Sequence, residues 1–479
     1  MLKAIIDSSE MNSERVKNSD PDIFDGPIVY TTLRLSIPML VTQLLSFTYL
    51  FVDTYFISMI DKQSTTLVSA VGLVFPIYLF FLNICFGLFQ GTSSHVARGI
   101  GEKKEEVINK IGDSALLLVI VIGVVTFVLS VLFGEQIIRF FAGSQLTAET
   151  IKYGLEYFYY ILPGLEMFLI THVYCGILQG EGLAKYIGWG AVLSTSTNII
   201  LNPILIFIFN MGVKGSALAT SIAIGLSLIY LTVLFVRGKT TIHFKWNVFN
   251  ANKKLIKEIL WISVPASLGM FLITISTGIL NNIVSSVSQA AMNAWVLVSR
   301  TDQLFVIPST AIATTTITMI GQNYGRGNLM RAAKIFRVNV ILCISICAIL
   351  AFLYIIFAPE LFQLFSSVPE VVDGSVKQVR LLAFTTLCSA TVLVISLSFQ
   401  ATGRPMPNLI NCFIFMVITC TPLCLPLFGF AIQDMTPIFI CVGTGNILTF
   451  IIAFIWGNRH FKQLGFNGKI VQTVNKKIP

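Results

Sequence analysis

Stretches of about twenty apolar residues recur from Leu33 to Gly457, and this recurrence leaves few folds open. A segment of that length spans the hydrocarbon core of a bilayer as a helix. Of the 479 residues, 55% are hydrophobic and only 11% are charged, against roughly 25% in a soluble chain. The first thirty residues are polar and carry neither an apolar core nor a small-residue cleavage site, so no signal peptide is expected. All nine cysteines fall in apolar segments without metal-type spacing, and Cys420 and Cys424 read as buried small residues on one helix face. The expected class is an all-α polytopic membrane protein.

Twelve spans are predicted, at 33–59, 67–90, 113–133, 155–179, 185–209, 213–236, 258–284, 290–320, 337–358, 378–401, 407–429 and 437–457. The loops after even spans, with the C-terminal tail, hold 21 of the 32 lysines and arginines; those after odd spans hold 6. That bias predicts both termini on the cytoplasmic side of the cell membrane. Topology and anionic lipid account for the net charge of +9, so no nucleic-acid partner is expected.

The chain repeats itself. LRLSIPML at Leu33 is echoed by LWISVPAS at Leu260, which puts Pro38 and Pro265 227 positions apart. A Gly-x-Gly turn with basic residues follows the second span of each half, at Arg98–Lys104 and Tyr324–Arg331, with an offset of 226. LQGEG at Leu178 pairs with FQATG at Phe399, offset by 221. An even number of spans separates the halves, so this is a parallel repeat about an axis along the membrane normal. The expected organisation is a tail at 1–32, an N-lobe at 33–236, a linker at 237–257, a C-lobe at 258–457 and a tail at 458–479.

Nothing here hydrolyses a nucleotide. The run RGKTT contains Gly-Lys-Thr, but Val233 stands where a phosphate-binding loop needs glycine. No His/Asp or Ser/His set recurs at one depth, so an enzyme is not expected, nor is a cofactor. Active transport would then draw on an ion gradient, with Na+ or H+ as coupling ion. Membrane carboxylates are the place to look.

Few acids lie in the spans: Asp53, Asp113 at a rim, Glu166 and Asp302. An aspartate at the centre of a membrane helix costs about 2.5–3.5 kcal/mol on insertion scales. Asp53, Asn202 and Thr220 each fall six or seven residues from the outer ends of spans 1, 5 and 6, roughly 10 Å deep. Asn198 shares a helix face with Asn202. Pro203 has no N–H, which frees the Ile199 carbonyl and marks a helix bend, as Pro38 does in span 1. One carboxylate, two amides, a hydroxyl and a carbonyl suit a hard cation such as sodium or a hydrated proton. The competing reading of such amides and hydroxyls is helix-to-helix hydrogen bonding. Glu166, after Pro163, is either a second proton site or a charge paired within its lobe. Arg300 and Asp302 read as a structural charge pair.

These landmarks resemble the multidrug and toxic compound extrusion (MATE) family. The resemblance rests on LSIP and VDTYFIS in span 1, NIILNPILIF and GVKGSALAT in spans 5 and 6, SRTDQL and MIGQNYGRGN around span 8, and FQATGRP after span 10. It implies two six-helix lobes about a V-shaped cleft, and export of organic, often lipophilic cationic, compounds in exchange for sodium or protons by alternating access. It is similar to the prokaryotic branch with a cation site in the first lobe, which falls here on Asp53, Asn198 and Thr220. At the span 5 position where that branch often has Asp, this chain has Asn202. The acid that another branch carries in span 7 is missing from Leu268–Thr277. Gln43, Tyr49, Tyr55 and Met270 are candidate lining residues for the substrate. A lipid-linked-substrate flippase of the same superfamily is the alternative, but the spans offer only Arg34 and Arg300 for a pyrophosphate. No feature calls for a second subunit, and a monomer is expected.

Overall fold

The computed structural model describes residues 21–60, 66–103, 105–142, 147–244, 251–421 and 434–475, without the side chains at 21, 22, 47, 49–51, 53, 54, 58, 105–107 and 471–475. Twelve apolar helices follow the twelve predicted spans. They are α1 Ile28–Ile60, α2 Thr66–Glu102, α3 Glu105–Ala142, α4 Ala148–Glu181, α5 Ala184–Pro203 and α6 Val213–Val236. The second half holds α7 Lys253–Ser285, α8 in two parts (Gln289–Thr301 and Gln303–Gly325), α9 Leu329–Ile356, α10 Pro369–Ala401, α11 Met406–Cys420 and α12 Thr436–Asn475. Eleven are long and apolar enough to cross a membrane; α11 is shorter, and residues 422–433 after it, with Cys424, lie outside the described residues. No strand occurs among the described residues. Most helices outrun the apolar windows by a turn or more, because backbone hydrogen bonding continues past the hydrocarbon.

The repeated QxxG turns have one physical cause. Gly182 and Gly403 sit at φ +84° and +80°, left-handed conformations that close the ends of α4 and α10. The Gly182 amide donates to the Gln179 carbonyl at 3.0 Å, and the Gly403 amide to the Gln400 carbonyl at 2.9 Å. The Gly-x-Gly pairs behave differently from the expected turn. Gly99 and Gly101 are helical and buried in α2, where Gly99 packs against Ile111; the turn itself passes through Lys103 at φ +57°. In the second half Gly327 takes the left-handed position.

The chain forms two compact units, one holding Ile37–Val264 and the other Asp22–Ser36 with Pro265–Pro479. The divisions run inside α1 and α7, next to Pro38 and Pro265, rather than in the 237–257 linker. Hydrogen bonds explain this. In the second unit, Thr32 donates to Asn339 Oδ1 at 2.8 Å and Ser36 to Thr315 Oγ1 at 3.0 Å, tying the start of α1 to α9 and α8. In the first unit, Glu258 on α7 lies 3.5 Å from His95 Nε2, and the Asn252 amide donates to Ser114 Oγ at 3.0 Å. The start of α7 therefore packs with the first repeat's helices.

Within the first unit, α2 and α4 approach backbone to backbone. A Cβ on Gly176 would stand 2.8 Å from the Phe89 carbonyl oxygen, and one on Gly180 2.8 Å from that of Ser93. This is a small-xxx-small interface, the way membrane helices gain packing where no hydrophobic force drives association. Overpacking a tight interface costs about 1–3 kcal/mol. Gly180→Val is therefore expected to lower the melting temperature of the purified protein by several degrees. Gly278→Ala, where a Cβ meets nothing within 4 Å, should leave it unchanged.

Candidate functional site

Two asparagines one turn apart on α5 face α6 and are fully buried, as is Thr220 to within 2%. Asn202 Nδ2 donates to Asn198 Oδ1 at 2.9 Å, and Asn198 Nδ2 donates to Thr220 Oγ1 at 3.3 Å. The structure thus brings Asn198, Asn202 and Thr220 into one chain of hydrogen bonds. That chain has a direction: Asn202 Oδ1 is its accepting end and the Thr220 hydroxyl proton its donating end.

Local sequence makes the close fit. Pro203 cannot continue the α-helical ladder, and α5 passes into a π turn over Ile204–Ile208, closed by the Phe209 amide on the Ile204 carbonyl at 3.0 Å. Asn210 at φ +51° then reverses the chain into α6. The start of α6 reaches the π turn because Gly215 has no side chain: a Cβ there would lie 2.8 Å from the Leu205 carbonyl carbon. Further along α6, Ser221 Oγ donates to the Tyr160 carbonyl of α4 at 2.8 Å.

Asp53 lies on the helical backbone of α1, but its side chain is outside the described residues, as is that of Tyr49. One turn further on, Phe56 packs against Phe207 of the π turn, ring centroids 6.5 Å apart. This turn of α1 therefore runs beside the end of α5. Near the other end of the two helices, Gly188 of α5 meets the Pro38 carbonyl oxygen at 3.5 Å, the distance its missing Cβ would have. Pro38 sits within a continuous α-helix. Gln43 and Tyr55 belong to the first unit and Met270 to the second.

Glu166 is not part of this arrangement. The α6-facing side of α4 is held by Tyr160, Gly164 and Met167, whereas Glu166 turns toward α3 and lies 3.1 Å from Thr126 Oγ1 through both carboxyl oxygens. The Thr126 hydroxyl also points at the Ile122 carbonyl, 3.0 Å away. Asp302 forms the joint between the two parts of α8; beside it the Thr301 hydroxyl bonds the Tyr354 hydroxyl, and Arg300 closes the preceding turn.

One acid carries more than the sequence reading gave it. Glu181, in the LQGEG turn, is 2% exposed and accepts the amides of Thr241 at 2.8 Å and Ile242 at 3.0 Å. It pins the chain after α6 to the end of α4. The available signal was the repeat itself, since Thr402 occupies the matching place in the second half and carries no charge. Among the described residues, no three His, Cys, Asp or Glu side chains cluster as a transition-metal site would.

The MatE family model matches residues 38–204 and 265–425, two segments that begin on Pro38 and Pro265. The chain belongs to the MatE family. Among its relatives, the multidrug export protein MepA of Staphylococcus haemolyticus (strain JCSC1435) is 24% identical over 79% of this chain and 83% of its own length. The probable multidrug resistance protein YoeA of Bacillus subtilis (strain 168) is 24% identical over 72% and 76%. A crystal structure of a MATE protein in the bent conformation superposes with a TM-score of 0.86 at 23% identity, covering 94% of this chain and 98% of that one. The MatE fold is thus shared along nearly the whole chain.

Removing the middle member of the hydrogen-bond chain tests its structural share. A buried polar group left without a partner costs about 1–3 kcal/mol. Asn198→Leu should lower the melting temperature by that equivalent, through the loss of its hydrogen bonds with Asn202 and Thr220. Thr220→Ser, which keeps the acceptor, should change it little. At the other site, Glu181→Gln keeps one acceptor for two amides. Hydrogen exchange at Thr241 and Ile242 should then speed up at least tenfold in one of the two.

Proposed function

We propose that this MatE protein exports small organic compounds, lipophilic cations foremost, in exchange for sodium ions or protons, and that Asp53, Asn198, Asn202 and Thr220 handle the coupling cation. The observation that supports this is the buried Asn202–Asn198–Thr220 chain in an apolar bundle, beside the α1 turn that carries Asp53. The names of the relatives, a multidrug exporter and a probable resistance protein, agree with it.

In this reading Asp53 supplies the charge and the amides and hydroxyl supply neutral oxygens. Amide and hydroxyl oxygens suit sodium, and the same groups can pass or hold a proton at the Asp53 carboxylate. A cation loaded there removes the cost of an isolated carboxylate in hydrocarbon. Release restores that cost. Either change alters how α1 packs on α5, and Pro38 and Pro203, where the helical ladder lacks a donor, are the places where the two helices can yield. Exchange then follows from one binding energy being available to cation or to substrate, not to both. The lysine and arginine distribution favours a cytoplasmic-membrane protein with both ends inside, which sets cation entry on the outer side.

The test is efflux of a fluorescent lipophilic cation from proteoliposomes under a sodium gradient alone and then a pH gradient alone. One of the two is expected to drive efflux, and Asp53→Asn to reduce it at least tenfold. Asn202→Asp, which restores a second carboxylate, is expected to increase apparent sodium affinity severalfold at alkaline pH. Unchanged ion dependence in Asp53→Asn overturns the coupling role. Dye binding without gradient-driven efflux overturns the exporter reading.

A further inference from the structure

Apart from the Asn198–Thr220 site, the first unit has a cavity of about 620 Å³ where the end of α3 meets the starts of α4 and α6. Its wall carries three cations, Arg139, Lys152 and Lys214, against one carboxylate, Glu156, together with Tyr159 and Tyr160. Two of the cations are compensated: Arg139 pairs with Glu135 at 2.7 Å and Lys214 with Glu156 at 3.3 Å. Lys152 is exposed and has no ion pair among the described residues, with Glu149 one turn before it on the same helix face. Next to Arg139, Phe140 is 80% exposed, the largest bare aromatic surface at this end of α3.

Bare aromatics beside cations at a helix end are the composition of a membrane–water boundary. A soluble anion would satisfy Lys152 and leave Phe140 uncovered. A zwitterionic lipid would bring a further cation beside Lys152, which has no ion pair among the described residues. A phospholipid with net negative charge meets both demands: its phosphate in the cavity against Lys152, with Arg139 on the same wall, and its acyl chains over Phe140 and the tyrosines. We propose that this cavity is a headgroup site for an anionic phospholipid. The inference is independent of what the protein exports.

The full-length protein is reconstituted in nanodiscs containing a trace of phosphatidylglycerol with a photoreactive acyl chain, and labelled peptides are mapped by mass spectrometry. Labelling is expected on the segment 148–160 and to fall at least fivefold in the Arg139→Gln, Lys152→Gln double variant, while label elsewhere stays unchanged. Arg139→Lys with Lys152→Arg should retain it, which separates charge from folding. Three results overturn the proposal. They are no label on 148–160, equal labelling by the matching phosphatidylcholine probe, or full competition by millimolar glycerol phosphate, which would make the ligand a free anion.

Discussion

A backbone in hydrocarbon has only itself to hydrogen-bond to, and the irregularities within the described helices are shaped by that constraint. Helices run long, and their interruptions are made good locally. Within α1 the helix runs on through Pro38, which lacks the N–H that would bond the Arg34 carbonyl. After Pro203 the ladder shifts to a wider π register instead of opening. At Asp302, α8 breaks for a single residue whose amide and carbonyl still bond Val298 and Phe305. After Pro203 and at Asp302 the hydrogen bonding is therefore altered in register and continues. That is what allows these breaks beside polar side chains deep in the bundle.

The same economy shows in how the halves are stitched. The first turns of α1 sit in the second unit through Thr32 and Ser36, and the first turns of α7 sit in the first unit through Asn252 and Glu258. In both helices the change of unit falls next to a proline. Neither repeat is complete without a piece of the other, so a change in how α1 packs on α5 acts on a helix whose first turns are fastened in the other unit. In the proposed function, a cation at Asp53 would therefore act on a helix that contributes residues to both units.

Much of this was legible in the sequence. Apolar windows gave the twelve helices, and the offsets of Pro38, Gly182 and their partners gave the repeat, because spanning length and left-handed turns leave strong local signals. The Asn198–Asn202 face was equally readable, since helical period alone decides it. What stayed hidden depends on which helix faces which. Gly176 and Gly180 read as ordinary glycines until α2 lies against them. Glu166 shares a span with the residues that meet α6, yet faces α3. Glu181 looked like part of a turn motif, while its carboxylate holds two amides sixty residues away. The division inside α1 and α7 left no signal in composition at all, because a helix that changes partners keeps the same apolar character throughout.

The substitution at position 202 ties these threads together. Asn202 is neutral at any pH, whereas an aspartate there would bring a second titratable group to the proposed cation site. With Asn202 the amide can donate to Asn198, which orders the Asn198–Thr220 chain even when no cation is present. If this chain receives the coupling cation as proposed, it gives up part of the electrostatic attraction and gains a fixed geometry. In the proposed function Asp53 is then the charge on which binding depends, on the helix whose first turns belong to the other unit. With the charge on α1, the proposed cation occupancy and the packing of that helix would be a single event.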